Sequence, residues 1–239
     1  MREEFGPLSS FLRKRPSMLL SVKHNFLFVH IAKTGGTSVR EALQPLRWRD
    51  PWYYAMGICH RLNELSRDRI GMKFPRHAKA ILAKEALPGD FFDGLFKFTF
   101  VRNPWDLQVS SYFHIRRVWP HLVEGREEFG DFLRWRLDPE RAFETHLETS
   151  NQRQTDYLVD MDGGMIVDFI GRYEKLPEDF QTICERIGIR PPPLPHKRKS
   201  TERSRDYRSY YTEETAELVA GHFARDVEML GYRFDPEVG

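Results

Sequence analysis

Residues 26–38 read FLFVHIAKTGGTS, and this stretch decides the fold. Phe26 to Ile31 is nearly all apolar, as a strand buried on both faces should be. Gly35 and Gly36 break the run, and a helical stretch follows from Ser38 to about Leu43, where Pro45 is expected to stop it. Strand, glycine turn and helix form the opening of an α/β unit, arranged to hold an anion. The glycines let the backbone turn tightly and approach a ligand. The free amides of the helix start, at the positive end of its dipole, point at a phosphate. Lys33 adds a point charge, and Thr37 and Ser38 add hydroxyls. The lysine precedes the glycines, so the stretch is not the GxxxxGK[ST] loop of nucleotide hydrolases and lacks its usual magnesium-binding arrangement. Read alone, it could also be a glycine turn that merely packs a helix on a strand.

Working outward, residues 96–112 read FKFTFVRNPWDLQVSSY. Phe96 to Val101 is a second strong strand, and a helix is expected from about Asp106 to Arg116 with Asp106 as its cap. Arg102, at the strand end, can grip a phosphate bidentately, and Ser110, one turn beyond Asp106, can add a hydroxyl bond. The competing reading of Arg102 is a structural salt bridge. Further helices are expected over 77–86, 126–137, 177–187 and 212 to about 230, the last capped by Thr212 and ended by Gly231. Met165 to Ile170 is a third strand candidate, Pro191 to Pro195 a stiff linker, and 196–208 a basic loop. Strands alternating with helices predict an α/β fold, a single domain with a central, mostly parallel sheet flanked by helices. Residues 1–24 read as a polar lead-in and 25–239 as the domain.

The chain has 239 residues, 40% hydrophobic and 30% charged, enough for one sizeable core. A net charge of +2 and no reading motif argue against a nucleic-acid binder. Cys59 and Cys184 have no metal-ligand spacing and read as reduced thiols. Met18 to Leu20, the longest apolar run near the start, is far too short to span a membrane. If the amino terminus is native, a cytoplasmic location is expected.

Taken together, the two motifs are far more specific than either alone. HIAKTGGTS resembles the 5'-phosphosulfate loop of sulfotransferases that use 3'-phosphoadenosine-5'-phosphosulfate (PAPS). FVRNPWDLQVSSY resembles their 3'-phosphate motif, an Arg with a Ser eight residues later. The likeness is strongest to the carbohydrate branch, which includes heparan sulfate 2-O- and 6-O-sulfotransferases and small bacterial relatives. It extends over roughly 26–234, with weaker matches at RHAKA, DFIGRYE and YRSYY.

The resemblance implies a P-loop-like sulfotransferase fold and PAPS as donor, leaving as PAP, with no metal. Lys33, Thr34, Gly35, Gly36, Thr37 and Ser38 would hold the 5' side, and Arg102 and Ser110 the 3'-phosphate. Arg198, Lys199 and Ser200 of the late basic loop would close over the donor, although a solvated basic loop fits those residues equally. His77 resembles the catalytic histidine of the carbohydrate branch. Its ordinary pKa of about 6.5 leaves it neutral enough to deprotonate a hydroxyl near neutral pH, while Lys33 stabilises the leaving group. His30 reads as structural or donor-adjacent. The acceptor is expected to be a carbohydrate or other hydroxyl compound. It would meet residues 47–76 and 114–155, among them Arg116, Arg117, Trp119 and Arg153. Two other readings stay open: a P-loop-type nucleotide-dependent kinase, and a non-catalytic binder of PAP or sulfated glycans.

Overall fold

In the sheet, Phe26 and Phe28 point to one face and Leu27 and Val29 to the other, the alternation that a strand imposes, and all four are buried. The computed structural model describes residues 18–47, 50, 54, 76–195, 203–204 and 206–235. In chain order the strands are β1 (Leu19–Ser21), β2 (Phe26–Val29), β3 (Phe96–Val101) and β4 (Phe169–Arg172). They form one four-stranded open sheet in the order β1-β2-β3-β4. β1 is antiparallel to β2, whereas β2, β3 and β4 are parallel.

The helices are α1 (Gly36–Arg47), α2 (Ala80–Ala86), α3 (Gly89–Asp93), α4 (Pro104–Val118), α5 (Phe129–Leu137), α6 (Thr145–Glu148), α7 (Leu176–Arg186), α8 (Glu213–His222) and α9 (Ala224–Leu230). On one face of the sheet Phe28, Phe98 and Phe100 pack with Val39 and Leu43 of α1 and Phe180 and Ile183 of α7. On the other, Val29 and Val101 pack with Trp105 and Val109 of α4, Phe132 of α5 and Val219 of α8. Leu27 meets Ala83 and Phe92 beside them. This is the single α/β domain expected, with helices on both faces. Cys184 lies in the first layer, its thiol pushed up to about 11 by burial, which makes it a poor nucleophile.

Several local expectations are corrected. The stretch 18–21, read within a polar lead-in, is buried, and Leu19–Ser21 forms β1. Pro45 does not stop α1, which runs to Arg47; so near the helix end a proline costs only one ladder bond, and Leu46 still packs on the core. The cap of α4 is Asn103, whose side chain accepts from the amides of Trp105 and Asp106; Asp106 is already helical. The third parallel strand lies later than 165–170, because Met165 makes only an isolated bridge to Val159. The final helix is two, divided at Phe223, whose backbone leaves helical geometry while its ring is buried.

Candidate active site

Because β2 and β3 are parallel and in register from Phe26 opposite Phe96 to Val29 opposite Thr99, both strands end at the same edge of the sheet. The loop after Val29 and the turn after Val101 therefore emerge side by side. Arg102 Nη1 donates to the main-chain oxygen of Lys33 at 3.0 Å, which joins the two motifs directly. Lys33 itself has a left-handed backbone, φ 68°, and Gly35 has φ 82°. A non-glycine residue in that region is uncommon, and such positions concentrate at functional sites.

Gly36 opens α1. Ser38 and Val39 bond back to the Gly35 oxygen, which leaves the amides of Gly36 and Thr37 without an acceptor among the described residues. Thr34 is different from its neighbours. It is fully buried and its hydroxyl donates to the Ile31 oxygen, so its side chain serves the turn, and only its backbone is left for a ligand.

Arg102 is 5% exposed and held on several sides. Its Nε donates to Asp106 Oδ2 at 2.7 Å, and its guanidinium lies 3.9 Å from the centre of the Tyr173 ring. Gln154 pins its main chain, accepting from the amide at 2.8 Å and donating to the oxygen at 2.7 Å. Asp226 in turn accepts from the amides of Gln154 and Thr155 and from the Thr155 hydroxyl. The salt-bridge reading of Arg102 is thus true, and it does not compete with the anion reading, because the pair aims the guanidinium. Ser110 lies one turn beyond Asp106 on the same face of α4.

Asp106 Oδ1 also takes a bond from Arg203, so a residue of the late basic loop reaches the Arg102 centre. Arg203 was not singled out in the sequence; Arg198, Lys199 and Ser200, which were, lie outside the described residues, as does most of the stretch 47–76. Tyr173 is a second addition. Besides covering Arg102, it packs so closely on the glycine turn that a Cβ on Gly35 would come 3.0 Å from its ring. Its only signal in the sequence was the weak match at DFIGRYE.

His77 lies in the turn just before α2, rather than on the helix as expected. Its Nδ1 is 2.8 Å from the His30 main-chain oxygen. A carbonyl can only accept, so Nδ1 carries the proton and Nε2 keeps its lone pair. Burial above all, then Arg76 and Arg40, holds the His77 pKa below its ordinary value, against the opposing bond to His30. The imidazole is therefore neutral at pH 7. His30 is 2% exposed and stacked on Phe28. Burial first, then His77, Arg76 and Arg40, pushes its pKa well down, in keeping with a structural part. Arg76 completes the group by bonding Thr37 Oγ1 and His30 Nδ1.

The arrangement offers backbone amides, a guanidinium and a neutral imidazole around one edge of the sheet, which suits anion binding next to a proton acceptor. Among the described residues no three His, Cys, Asp or Glu side chains gather as a metal site. No helix among them is long and apolar enough to cross a membrane.

Comparison with known proteins agrees with the geometry. An uncharacterized protein of Archaeoglobus fulgidus is 33% identical over 100 residues, covering 41% of this chain and 72% of that protein. The profile of the sulfotransferase family matches residues 16–233, nearly the whole chain. With both motif segments inside that span and joined by the Arg102–Lys33 bond, the chain belongs to the sulfotransferase family.

Proposed function

We propose that the protein transfers a sulfuryl group from PAPS to a hydroxyl of an acceptor, a carbohydrate, with His77 as the base. The observation that carries this reading is the Arg102–Lys33 contact, which brings a buried, oriented guanidinium against the glycine loop. A donor with phosphates at both its 5' and 3' ends needs two such anion sites side by side. When bound, PAPS supplies the sulfuryl group, whose bond to the phosphate oxygen breaks as the bond to the acceptor oxygen forms, with PAP departing.

The residues have separate parts. Gly35, Gly36, Thr37 and Ser38 offer amides and hydroxyls to the 5' side, and Lys33 offsets the charge left there. Arg102 and Ser110 hold the 3'-phosphate, and Arg203, tied to the same carboxylate as Arg102, extends that site from the late loop. His77 Nε2 accepts the acceptor proton. Lys79, two residues after His77, shares Asp156 with Arg225 at 3.7 and 3.9 Å. Two cations on one carboxylate favour a polar acceptor that carries negative charge.

Calorimetric titration of PAP into wild-type protein and Arg102→Ala, without metal, tests the donor assignment. Micromolar binding that collapses in the variant is expected. No binding by wild-type protein would sink the reading and turn attention to nucleotide triphosphates.

A further inference from the structure

Arg76 immediately precedes His77, and its side chain bonds both the residue that follows β2 and the start of α1. Nη2 donates to Thr37 Oγ1 at 2.9 Å, and Nε donates to His30 Nδ1 at 3.2 Å. With the His77 bond to the His30 oxygen, the turn at 76–77 is stitched to His30 at both its ring and its main chain.

Each contact fixes a proton. An N–H arriving at Thr37 Oγ1 occupies a lone pair, so the hydroxyl must send its own proton elsewhere. Thr37 is the second residue of α1, where the amides face the anion site. A guanidinium can only donate, so His30 Nδ1 is bare and the His30 proton sits on Nε2. That is the neutral form its burial demands. Gly36 seats this ring, since a Cβ there would come within 2.5 Å of Nε2.

We propose that Arg76 is a positioning residue: it presets the Thr37 hydroxyl as a donor to the bound phosphate and locks His30 neutral, so that the phosphate loop and His77 are held as one unit. The inference rests on the donor and base assignments above. Among the described residues, the charged or titratable groups acting on His77 are Arg76 from its own turn, His30 from the end of β2 and Arg40 from α1. Replacing Arg76 by a neutral residue removes one cation from beside His77 and raises its pKa; replacement by Lys keeps the cation but loses the fork.

The test uses PAP titrations and the imidazole NMR signals of His77 followed against pH, neither of which needs turnover. Arg76→Lys and Thr37→Val should each weaken PAP by about tenfold, and the double variant should be no weaker than either, because all three lose the Thr37 hydroxyl as an oriented donor. The His77 midpoint should rise in Arg76→Ala and stay near wild type in Arg76→Lys. Additive losses, or a His77 midpoint unmoved in Arg76→Ala, overturn the inference. Should Arg76→Ala fail to fold, the Lys and Val variants decide the matter alone. If His77→Ala retains turnover, the base assignment falls, while the coupling of Arg76, Thr37 and PAP is still judged by binding. If wild-type protein binds no PAP, the donor assignment falls, and the titration still judges the link between Arg76 and His77.

Discussion

The main-chain oxygen of His30 accepts a hydrogen bond from His77 Nδ1 at 2.8 Å, with the two rings 4.6 Å apart. This bond leaves Nε2 as the free basic nitrogen of His77. Since burial and neighbouring cations hold the His77 pKa below its ordinary value, its imidazole is already neutral at pH 7. Activity should therefore be level through neutral pH and fall only on acidification, with an acid limb in kcat/KM below about 6.5. His77→Ala should lose about 100-fold in turnover while binding PAP nearly as well. A pH–rate profile with the PAP titration checks both, and unchanged turnover would remove His77 from the mechanism.

Gln154 is 1% exposed, yet it sets the position of Arg102 through two main-chain bonds. Gln154→Leu should strand a buried amide and a buried oxygen, costing about 1–3 kcal/mol in urea unfolding. PAP affinity should fall with it, by about tenfold, although a side chain so buried meets no ligand. Asp226→Ala should produce the same pair of losses, because it frees the amides that hold Gln154 in place. A stability loss with intact PAP affinity would show that Arg102 is aimed without this chain.

At Gly36 an added Cβ would lie 2.3 Å from His30 Cδ2 and 3.1 Å from Phe28. The His30 ring has Phe28 against it at 5.4 Å and His77 at 4.6 Å, so it has nowhere to retreat. Gly36→Ala should cost about 1–3 kcal/mol and abolish PAP binding. Gly221→Ala is the control: it lies within α8, an added Cβ meets nothing within 4 Å, and the change should be neutral or slightly stabilising. Thermal melts of both, with PAP titration, separate crowding at the site from a general effect of losing a glycine.

The strands and motifs that carry the candidate site were legible because each is written locally. Phe96–Val101 alternates Phe with Lys97 and Thr99 and ends on Val101, a short aromatic and β-branched run, and the glycines announce the turn after β2. β4 was harder to place because its signal includes a glycine. Gly171 is opposite Phe100, and a Cβ there would strike that ring at 2.6 Å, so the strand needs the residue that least resembles one. On α5 the sequence puts Trp135 on the apolar side. The structure keeps Trp135 against the core, on Phe132 and between Arg126 and Arg141, but it also buries Arg136, which donates to Ser150 Oγ. Likewise Asp106 reads as a cap because caps are local, whereas it pairs with Arg102 four residues back and also with Arg203, 97 residues away. Such pairings are made by the fold, and no local pattern encodes them.

The direction of β1 has a practical side. Leu19 is opposite Phe28 and Ser21 opposite Phe26, so the chain enters the sheet at the edge where His30 and Arg102 leave it. Anything joined ahead of β1, such as an affinity handle or a surface linker, starts from the working end of the molecule. α7 runs the other way: its 11 residues, Leu176–Arg186, carry the chain about 16 Å back to the turn at Gly188, beyond which Arg190 is exposed. A protein immobilised for acceptor screening is best tethered at that far turn, with its working edge facing the solution.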